Sequence, residues 1–255
     1  MRIRIELSSA SKQIVLPESY NYLLQSYIYK SISTALARKL HDEGWEYGKR
    51  RFKMFTFSHV YAARSERFRP AVLPTSEHPR PRIRLSSPCW FFLSSPEEQI
   101  LQELAQSLLE DKEARLDSNM LHLTSVALMA SPTFPSDQVN TIGVQTMSPI
   151  TVYKTDETHH TTYFSPHDAA FAAYIRENAR RKFMAYVGHD PDLTSFDVVP
   201  LEERDHAVTI DFKGTMIRGY TGRFHLRGQG DLLRFLYDAG IGSKNSEGCG
   251  MIELQ

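Results

Sequence analysis

Two periodicities alternate along this chain in a fixed order, and that order restricts its fold more than any other feature. "RIRIEL", residues 2–7, alternates apolar and polar as a half-buried strand does. "ESYNYLLQSYIYKSISTALARKLHDEG", residues 18–44, then places Tyr20, Leu23, Leu24, Tyr27, Ile28, Ile32, Leu36 and Leu40 at helical spacing up to Gly44. "FKMFTFSHVYA" and "IRLSSPCWFFLS" read as strands, rich in aromatic and β-branched residues. "SPEEQILQELAQSLLE" reads as a helix with Ser95 as its cap and Pro96 and two acids in its first turn. "LHLTSVALMA" closes the unit as a strand. The order is β-α-β-β-α-β, the ferredoxin-like pattern.

The pattern then starts again. "SPTFPSD", Ser131 to Asp137, has linker composition. A strand near "TIGVQTMSPITVYK" follows, then a helix from about Pro166 to Tyr186. Strands come next around "FDVVPL", "AVTIDFKG" and "TMIRGYTGRFHLRG", followed by a helix in "QGDLLRFLYDAG" and a last strand in "GMIELQ". The fold class expected is α+β, two tandem ferredoxin-like domains with antiparallel sheets, over residues 1–130 and 138–255. A chain of 255 residues can bury a core in each half.

The net charge is zero, 30 basic against 30 acidic side chains, which argues against uniform coating of a polyanion. Locally the charge separates. Lys30 to Arg84 carries 13 Lys and Arg against 5 Asp and Glu, densest in "KRRFK" and "RPRIR", while Glu97 to Asp117 carries 2 against 7. That asymmetry points to a polyanion on one face. Cys89 and Cys249 are solitary and form no disulfide framework. With no signal-type apolar region and no run of apolar residues long enough to span a bilayer, a cytoplasmic protein with no membrane partner is expected. His159, His160 and His167 lie in "THHTTYFSPH" without neighbours that complete a ligand spacing, so no metal and no cofactor are expected.

The last helix and last strand are joined by "GIGSKNSEGCG", Gly240 to Gly250, four glycines wrapped around Ser, Lys, Asn and Ser. A Rossmann fingerprint follows a strand and opens a helix, whereas this loop follows a helix and opens a strand; a Walker motif is also absent. What remains is a loop of free backbone donors and one cation, suited to a sugar-phosphate chain or, more simply, to a helix cap and turn. "GRFHLRG" offers Arg223 and Arg227, with Arg218 upstream, either as RNA contacts or as an exposed hairpin.

The segment "GIGSKNSEGCGMIEL" resembles the C-terminal signature of the CRISPR repeat-processing endoribonucleases of the Cas6 family. "YNYLLQSYIYKSI" (20–32), "LHDEG" (40–44), "FKMFTFS" (52–58) and "TMSPITVY" (146–153) are similar to that family in the same order. The resemblance implies two RNA-recognition-like domains and metal-independent cutting of precursor CRISPR RNA within its repeat. There the 2'-hydroxyl attacks its neighbouring phosphate, leaving a 2',3'-cyclic phosphate and a 5'-hydroxyl. The family's catalytic positions fall on Tyr29, His41 and Lys53, with Lys49 or Arg51 as alternative cations. A histidine is the natural proton carrier near neutrality. The RNA-binding residues so implied are Arg218, Arg223, Arg227, Gly240, Gly242, Ser243, Lys244, Asn245, Ser246, Gly248 and Gly250. Partners implied are repeat RNA, a CRISPR effector complex and a second copy of the chain. A repeat binder of the same fold that does not cut is the alternative.

Overall fold

The computed structural model describes residues 1–69, 81–136 and 138–255. Arg80 of the basic run and Asp137 at the end of the linker lie outside them. In the first half, β1 (Arg2–Ser8), β2 (Thr56–Phe57), β3 (Cys89–Ser94) and β4 (Asn119–Leu128) form the centre of a six-stranded sheet in the order β4-β1-β3-β2. In the second, β5 (Val139–Thr146), β6 (Asp197–Pro200), β7 (Arg223–Gln229) and β8 (Ile252–Leu254) form a four-stranded sheet in the order β6-β7-β5-β8. Read by position in each half, both are 4-1-3-2 with antiparallel neighbours, so the ferredoxin-like reading is borne out twice.

The alternation that suggested strands is what builds the cores. On β1, Ile3, Ile5 and Leu7 turn inward, while Arg4 and Glu6 turn outward, and Ile5 sits opposite both Phe91 and Val126. Helices α1 (Asn21–Lys30) and α3 (Glu98–Glu110) cover that face with Leu24, Ile28, Ile100, Leu104 and Leu108. In the second half, α4 (Phe171–Val187) and α5 (Gly230–Ala239) cover Val144, Phe224 and Leu226. Each such side chain fully removed from water contributes about 1.5–3 kcal/mol before the entropy of ordering it is set against this.

Several elements expected to be continuous are divided. The helix expected over residues 18–44 is α1, a five-residue α2 (Thr34–Arg38) and a π-helical turn, Lys39–Glu43. Ser33 breaks it: its backbone is extended and its hydroxyl accepts the Leu36 N–H at 3.2 Å, opening a new helix instead of continuing the old one. "FKMFTFSHVYA" is divided among the end of the strand Arg50–Phe52, β2 and a short strand, Tyr61–Ala62; Met54, at φ 53° with its side chain in the second core, separates the first two. "IRLSSPCWFFLS" divides at Ser87-Pro88 into Arg82–Ser86, paired with Gln13–Pro17, and β3 in the main sheet. The strand near "TIGVQTMSPITVYK" ends at Thr146, and Tyr153–Thr155 pairs instead with Thr161–Tyr163. "TMIRGYTGRFHLRG" divides at Gly222 into Thr215–Thr221, in a hairpin with His206–Phe212, and β7. The helix expected from Pro166 begins at Phe171. Helix α3 begins at Glu98, and Ser95 acts just outside it, accepting the Glu97 N–H and donating to the Met54 carbonyl.

The halves are not side by side and independent. The hairpin Trp45–Tyr47/Arg50–Phe52 leaves the first half and lies on α4, with Trp45 5.8 Å from the Tyr186 ring and Tyr47 Oη accepting from Arg180 at 3.1 Å. Arg2, 3% exposed on β1, reaches the other way, stacking on Tyr237 at 4.0 Å and donating to the carbonyls of Tyr237 and Ile252.

Candidate functional site

The crossing hairpin and the glycine loop form the two walls of a cleft of about 450 Å³ between the halves. One wall is Arg50, Arg51, Lys53 and Phe55; the other is Ser243 to Glu247, with Asn178 and Lys182 of α4 at its floor. The cations greatly outnumber Glu247, which is held by Lys244 at 3.1 Å. Arg50, Arg51 and Lys53 bring part of the local basic surplus to it although the chain as a whole is neutral. A narrow cationic groove suits a chain of phosphates.

Lys53 lies on this wall, and Tyr29 and His41 stand behind it, Tyr29 against the wall residue Phe55 and His41 through its backbone carbonyl to Lys53. Tyr29 lies in the last turn of α1, half-buried against Phe55, ring centres 5.9 Å apart, and edge-on to His41 at 6.5 Å. The π-helical turn puts His41 on the surface, where its side chain is 79% exposed and its Nδ1 meets Asp42 Oδ1 at 2.7 Å. Gly44, at φ 63°, stops the turn where a Cβ would strike the Phe52 carbonyl at 2.6 Å. Lys53 lies just beyond the hairpin and donates to the His41 carbonyl at 2.5 Å.

Electrostatics separates the three. Burial pushes the Tyr29 phenol up to about 12, so it stays protonated near neutrality. Partial burial and nearby Arg51 lower the Lys53 ammonium, opposed by Asp42. The hydrogen bond with His41 holds the Asp42 carboxyl below the usual range. Of the alternative cations, Arg51 is occupied by Glu46 at 2.9 Å and by the Asp42 carbonyl at 2.7 Å. Lys49 lies in the hairpin turn, exposed, and does not line the cleft among the described residues.

The loop differs in detail from its sequence reading. Its glycines have φ of 86°, 70°, 81° and 78° at Gly240, Gly242, Gly248 and Gly250, and all four are buried. The space left by each missing side chain is occupied by protein, not open to a ligand. A Cβ at Gly248 would lie 2.4 Å from the Phe57 ring and 2.5 Å from Asn21 Nδ2, and one at Gly250 would lie 1.9 Å from the Ile241 carbonyl oxygen. Asn245 is turned inward as well, donating to the carbonyls of Ile241 and Cys249. Ser243, Lys244 and Ser246 are left on the cleft wall. Gln25 of α1, one helical turn before Tyr29, donates to the Ser246 carbonyl at 2.8 Å and so ties the loop to the same helix that carries the phenol.

Arg218, Arg223 and Arg227 stand elsewhere. Arg223 and Arg227 alternate with His225 on the outward face of β7, Arg223 paired with Glu202 at 2.8 Å, and Arg218 lies on the Thr215–Thr221 hairpin over Tyr220. None of the three lines the cleft among the described residues. Nor, among those residues, does any group of three His, Cys, Asp or Glu stand close enough to hold a metal, and no helix is long and apolar enough to cross a membrane.

Lys182 escaped the sequence reading. It interrupts the apolar stripe Ile175, Ala179, Phe183 of α4, and a lysine in such a stripe was the available signal.

Comparison with known proteins bears on the whole chain. Residues 15–127 match the family description "CRISPR-associated protein Cas6, N-terminal" and residues 132–254 match "CRISPR associated protein Cas6, C-terminal". The "CRISPR-associated endoribonuclease Cas6 1" of Methanocaldococcus jannaschii is 26% identical over 99% of this chain and 92% of its own. A solved structure described as "Characterization of a Cas6-related gene from Pyrococcus furiosus" superposes with a TM-score of 0.81 at 21% identity, covering 100% of this chain and 98% of the other. Another, "An RAMP protein binding different RNA substrates", gives 0.78 at 22% identity, over 100% and 99%. At that identity the superpositions speak for the fold.

Proposed function

Because the chain belongs to the Cas6 family of CRISPR-associated proteins, we propose that it is an endoribonuclease that cuts precursor CRISPR RNA within the repeat, at the cleft between its two halves. One observation supports this reading: Lys53, on the wall of a cationic groove, donates to the His41 backbone, and the rings of Tyr29 and His41 lie edge-on to each other beside it.

The chemistry follows from what each group can do. His41, exposed on the surface, takes the proton of the ribose 2'-hydroxyl as its oxygen attacks the adjacent phosphorus. The Lys53 ammonium, already directed at the His41 backbone, lies against the charge that builds on the phosphorane oxygens. The bond from phosphorus to the 5'-oxygen breaks, and that oxygen receives a proton from Tyr29, whose burial keeps its phenol protonated. The products are a 2',3'-cyclic phosphate and a 5'-hydroxyl, and no divalent cation enters the balance.

The test is direct. Cleavage of repeat RNA should continue in excess EDTA, and should stop when the nucleotide 5' to the cut carries a 2'-deoxy sugar. Cutting of the deoxy substrate at an undiminished rate, or strict dependence on a divalent ion, overturns the proposed chemistry. Tight, specific binding without cutting at any pH leaves a repeat-binding protein in its place.

A further inference from the structure

Beneath the glycine loop lies a lysine with no carboxylate partner among the described residues. Lys182, 2% exposed, directs its ammonium at three neutral oxygens: the Gly240 carbonyl at 2.6 Å, the Gly242 carbonyl at 3.2 Å and Asn245 Oδ1 at 2.8 Å. An ammonium has three N–H donors, so donors and acceptors match one to one. Asn245 passes the constraint on, since its amide nitrogen bonds the carbonyls of Ile241 and Cys249. Lys182 thus fixes both ends of the loop from a single buried point.

We propose that Lys182 is a positioning residue for RNA engagement, holding the glycine loop in the conformation that keeps Ser243, Lys244 and Ser246 on the cleft wall opposite Lys53. This rests on the reading of the cleft as the RNA site. A buried cation bound only by neutral acceptors is costly to the fold. A neutral side chain could fill the volume, but it could not supply three donors.

The arrangement makes the loop sensitive to a proton. Burial lowers the Lys182 ammonium from 10.5 to about 7. Below that value three N–H bonds hold the loop; above it the neutral amine has two, and one acceptor is released. Fold stability moves the other way. The unfolded chain keeps this proton up to about 10.5, so between about 7 and 10.5 the unfolded state binds more protons and this group's contribution to stability rises with pH. RNA affinity that falls while stability does not is therefore the mark of positioning. Other charged groups at the cleft are Arg50, Arg51 and Lys53 from the hairpin side and Lys244 with Glu247 from the loop. On α4 itself Glu177 is bound by Arg180 and Arg181.

The experiment measures equilibrium binding of repeat RNA by the full chain from about pH 6 to about pH 9, with thermal melting at each pH, for the wild type, Lys182→Met and Lys182→Gln. Wild-type affinity should decline across the window. Lys182→Met should bind about 10- to 100-fold more weakly at the acid end and lose the part of the slope that belongs to Lys182. Should the Met variant not fold, Lys182→Gln, with two donors and no proton to lose, carries the test: it should bind at intermediate strength with the same flattened profile. Folded variants that match the wild type in affinity and slope overturn the inference and leave the RNA site intact. A wild type that binds repeat RNA at no pH overturns the site itself, and this inference with it.

Discussion

At the scale of single residues, His41 and Tyr29 should each lose rate without losing the fold when the reactive group alone is removed. His41 is exposed, bonded to Asp42 and edge-on to the half-buried Tyr29 ring, so His41→Ala removes a proton carrier without opening a core. Single-turnover cleavage should fall by about 10²- to 10⁴-fold with repeat affinity close to wild type. Tyr29→Phe keeps the contact with Phe55 and removes only the hydroxyl, so the fold should persist while the rate drops. Normal cutting by His41→Ala would show the imidazole to be merely a surface group. These residues were legible in the sequence only through the resemblance: their spacing along the chain says nothing about a π-helical turn bringing His41 back over Tyr29. Lys182 was legible only as a lysine within an apolar helical stripe, and Arg2 was not legible as a buried group. What makes each tolerable inside the protein is a set of backbone oxygens from elsewhere in the chain, and no local pattern records those.

At the scale of elements, the glycine loop shows how far composition alone reaches. Four glycines announced a close approach. The approach is to Thr56, Phe57 and Asn21 of the first half, to Ile150 and Thr151 of the second, and to the loop's own residues Ile241 and Asn245. Gly250→Ala combines a left-handed residue, costing about 1–2 kcal/mol, with a Cβ 1.9 Å from the Ile241 oxygen, so the chain must shift there. Gly48→Ala, also left-handed at φ 59° but in open space, bears the first cost alone. Urea midpoints should therefore show Gly250→Ala to be much the less stable of the two; equal losses would mean that the loop yields easily and is not the seam between the halves. The strands of both sheets were visible as alternation, and the divisions within them were not. Ser33, Met54 and Pro88 interrupt elements by local hydrogen bonding or backbone angle, which leave the apolar pattern on either side intact. Trp90 and Phe92, two apart on β3, gather with Tyr61 on the outward face of the first sheet.

At the scale of the whole molecule, two copies of one topology are joined by exchange: the hairpin of the first half lies on α4, the loop of the second lies on α1, and Arg2 reaches from the first sheet to Tyr237 and Ile252. A cleft between halves keeps its shape only as long as the halves stay docked, so the candidate site depends on contacts distant from it. Arg2→Ala isolates that dependence, since Arg2 does not line the cleft among the described residues. It leaves two buried carbonyl oxygens short of a donor, at about 1–3 kcal/mol each, and removes the stacking on Tyr237. The loss falls on docking, because both oxygens belong to the other half. Denaturant unfolding followed by two probes, one in each half, should change from a single coincident transition to two, with cleavage lost at the first. A single transition moved to lower denaturant with unchanged slope would instead mean that the crossing hairpin and the glycine loop suffice to couple the halves, and that Arg2 adds stability to a unit already cooperative without it.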